Sequence, residues 1–372
     1  MRFLHTADWH IGKIVNNFSM LDNQESAINE IINLLKETKY DCLIIAGDLY
    51  DRINPSAEAL ELVDKQFQRI LNETETPILL ISGNHDNARF IEYGNYLTQA
   101  QGLYSEGVFK KEITKVTMGE TDFYLFPFIT PFQYSKLMND TSVNTFNDLF
   151  IKEINKLEFT NKQNVLITHG YFIKDELVFE KEDSVRPLSI GTAEYVDASI
   201  FKNFDYVACG HLHSHHQIGS NKVQYSGSLL KYSKSEANNT IGINDVTIDN
   251  NEIQIKRHLL TPLKDMIVIK GTLENLLKQP TQDYVFYELL DTQLQLDAMS
   301  RLKAISPYTM GLSYENIEFN KHQRRFDQKE LTSKSIVEIF EDFYALSNPN
   351  KITETQKAIL NKIMKGVDHE TY

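Results

Sequence analysis

The sequence is poor in cysteine and has no long apolar run. Its two cysteines among 372 residues, Cys42 and Cys209, each lie inside an apolar stretch. That pattern is typical of buried thiols in a reducing compartment. No run of 18 apolar residues occurs, and Asp8 and His10 interrupt the N-terminal stretch, so neither a membrane span nor a secretory signal is predicted. We therefore expect a cytoplasmic protein.

Positive charge is also scarce. The chain has 38 Lys and Arg against 51 Asp and Glu, which gives a formal net charge of -13. Proteins that bind DNA tightly on their own generally use many Lys and Arg to displace counterions from phosphates. The charge argues against tight independent DNA binding, but bound metal ions or a basic partner would still allow chemistry on DNA. A requirement for solubility alone would also explain the negative net charge.

Through the first 210 residues, short apolar runs alternate with helical patterns. Residues 24–37 and 56–71 have the apolar spacing of amphipathic helices. Buried strands are predicted at residues 2–6, 41–46, 77–82, 122–127, 164–168 and 206–209. Strand runs rich in Ile, Leu and Val, separated by helices, predict an α/β fold in which helices cover a buried sheet. Residues 223–226 and 240–247 are typical of a late hairpin.

The pattern changes near Pro262. Strands are predicted at residues 265–270, 284–289 and 311–317, with helices between them at residues 273–278 and 294–305. A helical stripe of Ile336, Ile339, Phe340, Phe343 and Tyr344 then follows. We predict three parts, which are a large domain at residues 1–262, a small α/β domain at 263–328 and a helical segment at 329–372.

Five short polar motifs directly follow predicted strands. Ligand-binding side chains in α/β proteins gather beyond the carboxyl ends of the strands. We therefore expect all five motifs to meet at one edge of the fold. They are Asp8-x-His10, Gly47-Asp48-x-x-Asp51, Gly83-Asn84-His85-Asp86, His169-Gly170 and Gly210-His211-x-His213.

The motifs offer seven nitrogen and oxygen ligands, too many for one tetrahedral zinc ion. Seven donors suit two neighbouring divalent cations that share a carboxylate, and the mixture of His and carboxylate without Cys favours Mn, Fe or Zn. Each motif alone has a simpler explanation, such as a turn or a hydrogen-bonded core histidine. Five such accidents, each directly after a strand, are improbable. The predicted ligands are Asp8, His10, Asp48, Asn84, His169, His211 and His213.

The motif series resembles the calcineurin-like metallophosphoesterase superfamily over residues 1 to about 250. The resemblance implies a metallophosphoesterase sandwich of sheets flanked by helices. It implies that Asp8, His10 and His213 bind one metal. It also implies that Asn84, His169 and His211 bind the other.

Three further roles follow from the same resemblance. Asp48 would bridge the two metals. His85 would be the catalytic histidine beside the leaving oxygen, and the carboxylate of Asp51 would orient it. An acidic neighbour would keep the imidazole protonated as a general acid near neutral pH.

A narrower resemblance is to the SbcD nuclease subunits of bacteria. The segments HTADWHIGK, AGDLYDRINPS, SGNHDNARF, FDYVACGHLH and YSGSLLKYSKSEAN carry it. It implies residues 1–262 as the nuclease domain, 263–328 as an α/β cap and 329–372 as a helical segment that docks on the partner.

The SbcD resemblance also implies partners and substrates. It implies a dimer that joins SbcC, a coiled-coil ATPase, in a heterotetramer. The manganese-dependent complex would act as a double-strand 3'-5' exonuclease and a single-strand and hairpin endonuclease in DNA repair, recombination and replication. The chain has no Gly-x-x-x-x-Gly-Lys-Ser/Thr loop, in agreement with ATP binding by the partner.

Several peripheral roles have two interpretations. Arg52 and Arg89 could bind a phosphate oxygen or form surface ion pairs. Tyr171 and Phe172 could stack on a frayed base or pack a loop. Likewise, the helices at residues 24–37 and 56–71 could form the dimer surface or cover the sheet, and the C-terminal stripe could dock on the ATPase or on the cap.

Two rival functions remain at the sequence level. One is a metallophosphatase or cyclic-nucleotide phosphodiesterase that uses the same metal core on a small substrate. The extra cap and tail argue against it, because a small substrate does not require them. The other rival is a scaffold with a decayed site, which the complete ligand set argues against.

Overall fold

The structure is a computed structural model of the chain. It describes residues 1–159, 162–174, 195–220, 222–249 and 252–316, together with residues 183, 185, 340, 341, 344, 352–357 and 360. Most of the predicted helical segment at 329–372, including Ile336, Ile339 and Phe343, lies outside the described residues. Among the helices that are described, none combines the length and apolar character needed to cross a bilayer.

Nineteen strands are described, and they are numbered here in chain order. They are β1 (Arg2–Thr6), β2 (Ile14–Val15), β3 (Phe18–Ser19), β4 (Cys42–Ala46), β5 (Ile78–Ile81), β6 (Leu103–Glu106), β7 (Thr114–Met118), β8 (Thr121–Phe126), β9 (Gln163–His169), β10 (Tyr171–Ile173), β11 (Tyr195–Asp197), β12 (Tyr206–Gly210), β13 (His216–Gln217), β14 (Val223–Tyr225), β15 (Gly242–Asp249), β16 (Glu252–Leu259), β17 (Met266–Gly271), β18 (Tyr284–Leu289) and β19 (Thr309–Tyr314).

Eight α-helices are described. They are α1 (Leu21–Glu37), α2 (Ala57–Arg69), α3 (Ala88–Glu92), α4 (Asn95–Thr98), α5 (Pro131–Met138), α6 (Phe146–Ile154), α7 (Leu273–Leu276) and α8 (Ala298–Ile305). A π-helical turn at Ile70–Thr74 extends α2, and short 3₁₀ turns occur at Gln99–Gln101, Ala198–Phe201 and Lys234–Glu236.

Two six-stranded sheets form the large domain. The first has the order β16-β15-β1-β4-β5-β6, and β1, β4, β5 and β6 run parallel. The second has the order β13-β14-β12-β9-β8-β7, and β14, β12, β9 and β8 run parallel. Because the central strands of each sheet run parallel, the loops that follow them lie at the same edge of that sheet.

The strand sequences alternate between two cores, as the period of two along a strand requires. In β4, Cys42, Ile44 and Ala46 pack between the two sheets, whereas Leu43 and Ile45 face the helices outside. The layer between the sheets also contains Phe3, Leu79, Val165 and Ile167. The domain is thus a sandwich of two sheets, as predicted.

Helices cover the outer face of each sheet. In α1, the buried stripe contains Ala27, Ile28, Ile31, Ile32 and Leu35, and it packs in the same core as α2 and the first sheet. Helix α2 begins where the Ser56 side chain accepts a hydrogen bond from the Ala59 N–H, a standard N-cap. Helix α6 covers the second sheet through Leu149 and Phe150. The apolar faces of α1 and α2 are therefore covered by the sheet, and we withdraw these faces as candidates for the dimer surface.

The cap is a smaller α/β unit with its own core. Its sheet has the parallel order β17-β18-β19, and α7 and α8 pack on it through Leu276 and Leu302. Contacts to the large domain include the hydrogen bond from Asn16 Nδ2 to the Met310 carbonyl, at 2.8 Å. This unit contains the strands and helices predicted for it, and both helices are shorter than predicted.

The predicted late hairpin is wrong. Strand β14 belongs to the second sheet and pairs with β12 and β13. Strand β15 belongs to the first sheet, where it pairs with β1 and with the long strand β16. The true hairpin is β15-β16, and its second strand alternates exposed and half-buried residues, which gave little apolar signal.

A buried histidine between the sheets makes folding sensitive to acid. His5 is fully buried, and its Nδ1 lies 2.9 Å from the Tyr206 hydroxyl. Burial, the main cause, lowers the pKa of His5 to about 3 from 6.5. Because the unfolded chain takes up a proton on His5 below pH 6.5 and the folded chain does so only near pH 3, the His5 contribution to stability is complete above 6.5 and is lost as the pH falls.

We expect His5→Gln to flatten the pH dependence of stability. Between about pH 6 and pH 4, the slope of the unfolding free energy should fall by about 1 kcal/mol per pH unit. Urea unfolding of both proteins in chelator measures the slopes and keeps metal binding out of the comparison. Equal slopes in the two proteins would show that His5 does not titrate on unfolding.

Candidate metal centre

The five polar motifs meet where parallel strands of both sheets end. The loops after β1, β4 and β5 carry Asp8, Asp48 and Asn84, and the ends of β9 and β12 carry His169 and His211. Main-chain hydrogen bonds join the loops, because the Asp8 N–H donates to the Gly47 carbonyl at 3.1 Å. The sequence-predicted ligands are thus assembled from two separate sheets.

Four of the predicted ligands have unusual backbone conformations. Asp8, His10, Asp48 and His211 have φ of 52°, 46°, 51° and 113°. A positive φ is uncommon for residues with a side chain, and such strain concentrates at functional sites. The loops therefore hold these side chains in positions that relaxed strand ends would not give them.

Two glycines leave room for the predicted ligands. Gly47 has φ of +90°, and a Cβ there would lie 2.5 Å from Nδ1 of His169. At Gly83 a Cβ would lie 2.1 Å from an oxygen of the Asp48 carboxylate. Any side chain at either position would displace a candidate ligand, which explains the glycine at the start of both motifs.

The first cluster contains Asp8, His10 and His213. One ligand atom from each lies within 4.8 Å of the others, and all three residues are buried. Nε2 of His10 and Nε2 of His213 are 3.0 Å apart. Both oxygens of Asp8 accept from the main-chain N–H of His211 at 3.0 Å, which fixes the carboxylate beside the histidines.

The second cluster contains Asn84, His169 and His211. Nδ1 of His169 lies 2.9 Å from the Ala46 carbonyl, so it carries the proton and Nε2 is left with a lone pair. That Nε2 lies 2.9 Å from the side-chain oxygen of Asn84, which is also 3.3 Å from Nδ1 of His211. A lone pair and an amide oxygen at this distance repel unless a cation lies between them. The donor set therefore fits a metal.

Asp48 lies between the two clusters. Its Oδ2 is 3.5 Å from Nε2 of His169 and 3.7 Å from Nε2 of His10, and its Oδ1 accepts from the His85 N–H at 2.8 Å. Asp8, Asp48 and His169 form a further group whose ligand atoms lie within 4.8 Å. One carboxylate thus contacts histidines of both clusters.

The environment keeps two of the histidines neutral, which is the form that binds metal. Burial lowers the pKa of His10 well below its ordinary value, and the neighbouring His213 and His85 lower it further. Burial also lowers the pKa of His169, although the Asp48 charge opposes the shift.

His85 lies beside Asp51 and bonds its main chain. Nδ1 of His85 lies 3.0 Å from the main-chain oxygen of Asp51, whereas the Asp51 carboxylate accepts from Lys13 Nζ at 2.6 Å. One ring nitrogen each of His10 and His85 and a carboxylate oxygen of Asp51 also lie within 4.8 Å of one another, so the orienting role of the Asp51 carboxylate stays a prediction. The carbonyl only accepts, so Nδ1 carries a proton and Nε2, 4.0 Å from the Asp48 carboxylate, faces the centre.

Sequence reasoning gave no role to Asp86, although it belongs to the third motif. Its carboxylate accepts from the main-chain N–H groups of Gly83, Leu49 and Tyr50, at 2.9, 3.2 and 2.9 Å. Burial and the charge of Asp48 raise the pKa of Asp86 to about 7. Asp86 therefore joins the loops of the second and third motifs. Its position directly after His85 in the motif was the one sequence feature that could have suggested this role.

Gln24 is a second residue that sequence reasoning missed. It lies on α1, and its side chain donates to the His10 carbonyl at 2.8 Å and to the Tyr232 hydroxyl at 3.1 Å. These bonds fasten the strained first loop to the helix. Nothing in the pattern of α1 distinguishes this glutamine from an ordinary helix residue.

The residues with two possible peripheral roles differ in burial. Tyr171 and Phe172 lie in β10 and are buried at 4% and 0% exposure, so both pack the core and neither can stack on a base. Arg52 and Arg89 are exposed, and Arg52 lines a cavity of about 430 Å³ together with Asp51. His215 and His216 are not members of the ligand groups found among the described residues.

Comparison with known proteins identifies the family. A family model described as calcineurin-like phosphoesterase matches residues 1–215, and one described as the type 5 capsule protein repressor C-terminal domain matches residues 262–348. A protein of Staphylococcus saprophyticus subsp. saprophyticus, named as the SbcD component of the nuclease SbcCD, is 31% identical, with 100% of this chain and 99% of that protein covered. A Staphylococcus epidermidis protein of the same name is also 31% identical, with 99% of each covered.

Two solved structures are similar at lower levels. One is a dimetal phosphatase from Danio rerio, with a TM-score of 0.43 and 12% identity over 69% of this chain and 95% of that one. The other is a putative 5'-nucleotidase from Staphylococcus aureus in complex with α-ketoglutarate, with a TM-score of 0.39, 14% identity and coverage of 82% and 57%. Because both TM-scores are below 0.5, the family assignment rests on the sequence matches. The chain therefore belongs to the calcineurin-like phosphoesterases and, within them, to the SbcD family of nuclease subunits.

Proposed function

We propose that the chain hydrolyses phosphodiester bonds of DNA with two divalent cations. Asp8, His10 and His213 bind one cation, Asn84, His169 and His211 bind the other, and Asp48 bridges them. The observation that carries this proposal is that two hydrogen-bond acceptors, Nε2 of His169 and the Asn84 oxygen, face each other at 2.9 Å. When bound, two such cations polarise the phosphate and acidify water.

His85 is the group that handles the proton in this proposal. Its Nδ1 is held by the Asp51 carbonyl, so the ring cannot rotate away from the centre. Protonated at Nε2, the ring can donate to the oxygen that leaves the phosphate. Lys13, bonded to the Asp51 carboxylate, keeps the Asp51 loop in place.

Manganese is the cation that we propose, because the donor set mixes imidazole, carboxylate and amide oxygen without thiolate. The donor types also suit iron and zinc, so metal titrations should include all three. We place the reaction in the cytoplasm, where the free buried thiols Cys42 and Cys209 stay reduced.

DNA as substrate is supported by the name of the relatives, which are called components of the nuclease SbcCD and match over their full length. We propose exonuclease action from 3' to 5' on duplex ends and endonuclease action on single strands and hairpins. The activity operates with an SbcC-type ATPase in DNA repair, recombination and replication. With a net charge of -13, the chain needs the metals and its partner to hold the DNA.

The proposed partners use different surfaces. The ATPase docks on the helical segment at residues 329–372. For the homodimer, we propose the apolar surface of α3 and α4, where Tyr93, Tyr96 and Leu97 are exposed at 86%, 91% and 71%. Large exposed apolar groups on adjacent short helices are typical of an interaction surface.

Asp48→Ala should abolish metal binding and activity together. The change removes the negative charge that lies between the two clusters, so the cations lose their shared ligand. Metal content of purified protein, measured by mass spectrometry after manganese loading and gel filtration, checks this. Glu153→Gln is the control, because Glu153 is an equally buried acid that bonds Tyr134 and belongs to none of the candidate ligand groups among the described residues. Full metal content in Asp48→Ala would refute the ligand assignment.

His85→Ala should leave the metal content normal and reduce kcat by about 10²–10⁴-fold. The removed imidazole donates a proton and binds no cation in our assignment. Single-turnover cleavage of linear duplex DNA by the complex with the ATPase gives the rate. A loss of bound manganese in this variant would instead make His85 a ligand.

The substrate class is tested by comparing esters under one condition. We expect manganese-dependent degradation of linear duplex DNA and hairpins by the complex, and little release of phosphate from nucleotide monoesters. Turnover of monoesters or cyclic nucleotides without DNA cleavage would establish the small-substrate alternative.

Tyr96→Glu and Leu97→Asp should convert the homodimer to monomer. Each places a charge in the proposed apolar contact, where it would be desolvated without a partner. Analytical ultracentrifugation measures the mass, and Leu259→Asp, at a 65% exposed apolar site on β16, is the matched control. A dimer that persists in both helix variants would move the interface elsewhere.

A further inference from the structure

Glu236 is a buried acid behind one of the candidate ligands. It ends the 3₁₀ turn Lys234–Glu236 and is 1% exposed. Oε1 lies 3.3 Å from Nδ1 of His213, and Oε2 accepts from the Tyr232 N–H at 2.7 Å. The Ser233 hydroxyl donates to Oε1 at 2.8 Å. The carboxylate is thus held in one orientation against the imidazole.

This contact determines which nitrogen of His213 faces the centre. A carboxylate only accepts, so Nδ1 of His213 carries the proton and Nε2 presents its lone pair. That Nε2 is the atom found 3.0 Å from Nε2 of His10. A carboxylate behind a metal-binding imidazole also fixes the orientation of the ring.

The turn that carries Glu236 is fastened to the cap. Lys231 Nζ lies 2.9 Å from the Asp265 carboxylate and donates to the Ala237 carbonyl at 2.8 Å. Lys234 Nζ lies 2.7 Å from the carboxylate of Glu288 on β18 and 3.1 Å from the Ser313 hydroxyl on β19. Two cap strands therefore hold the segment that positions the carboxylate.

We propose that Glu236 is a positioning residue for His213, through which the cap sets the metal affinity of the first cluster. The proposal rests on the proposed two-metal function. The chain of contacts runs from Glu288 to Lys234, along the turn to Glu236 and from there to Nδ1 of His213. Displacement of the cap relative to the large domain would move the carboxylate and release the ring.

The first test is Glu236→Gln in the full chain, with manganese affinity measured by isothermal titration calorimetry. A neutral amide keeps the shape but no longer holds the Nδ1 proton with a charge. We expect affinity to fall by about 10–100-fold, a typical effect of losing the group behind a metal-binding histidine. Glu153→Gln, which removes an equally buried charge elsewhere, should bind manganese as the unaltered chain does.

A second readout follows the imidazole itself. With ¹⁵N-labelled histidine, the nitrogen shifts of His213 in the metal-free chain should report a proton at Nδ1. Glu236→Gln should shift this ring toward the other tautomer. A purely structural role for Glu236 would change the melting temperature and leave both the tautomer and the metal affinity unaltered, and that result would overturn the proposal.

The cap link is tested separately by Lys234→Met, which keeps the length of the side chain and removes the ion pair. We expect about two- to fivefold weaker manganese binding, in line with a partly exposed pair. Lys278→Met is the control, because its ion pair with Glu274 stays within the cap. Unchanged affinity in Lys234→Met would refute the cap link, and it remains decisive if Glu236→Gln does not fold.

The outcome also separates this inference from the function on which it rests. Loss of manganese in Asp48→Ala with normal binding in Glu236→Gln would reject the role of Glu236 alone. Normal binding in Asp48→Ala would reject the metal centre itself.

Discussion

Hydrogen-bond acceptors that face one another without a donor between them are the constraint on which this structure depends. The lone pair of His169 and the amide oxygen of Asn84 meet at 2.9 Å, and the lone pair that His213 presents lies 3.0 Å from Nε2 of His10. Such arrangements are unfavourable in a protein unless positive charge is supplied. The strained loops, the two glycines and the buried Asp86 all hold acceptors in this arrangement. A fold that needed only stability would have relaxed these loops.

The sequence predicted those parts of the fold in which local pattern and packing agree. Strands β4 and β5 are continuous apolar runs, and each predicted ligand lies at a strand end or in the loop that follows it. The partner of β15 was mistaken because β16 is half-exposed and has no strong apolar signal. The contact of Asp51 with His85 uses a main-chain carbonyl, which no sequence pattern reveals. Asp86, Gln24 and Glu236 support the ligands from behind, and their partners are fixed only by the tertiary structure.

The placement of charge accounts for an acidic protein in a family of nucleases. Its acidic side chains at the centre face inward, and several exposed basic groups are paired with carboxylates, as Lys65 is with Glu25. A general basic surface therefore contributes little to any affinity for nucleic acid. Under the proposed function, the isolated chain holds its reactive groups but has little electrostatic attraction to a duplex.

The order of the ligands along the chain has a consequence for biosynthesis. The first candidate ligand is Asp8 and the last is His213, and the supporting Glu236 follows later still. A ribosome must therefore release well over half of the polypeptide before any complete centre can form. Prematurely terminated products that stop before β9 lack the histidines from β9 and β12. Such fragments therefore lack the complete set of candidate metal ligands.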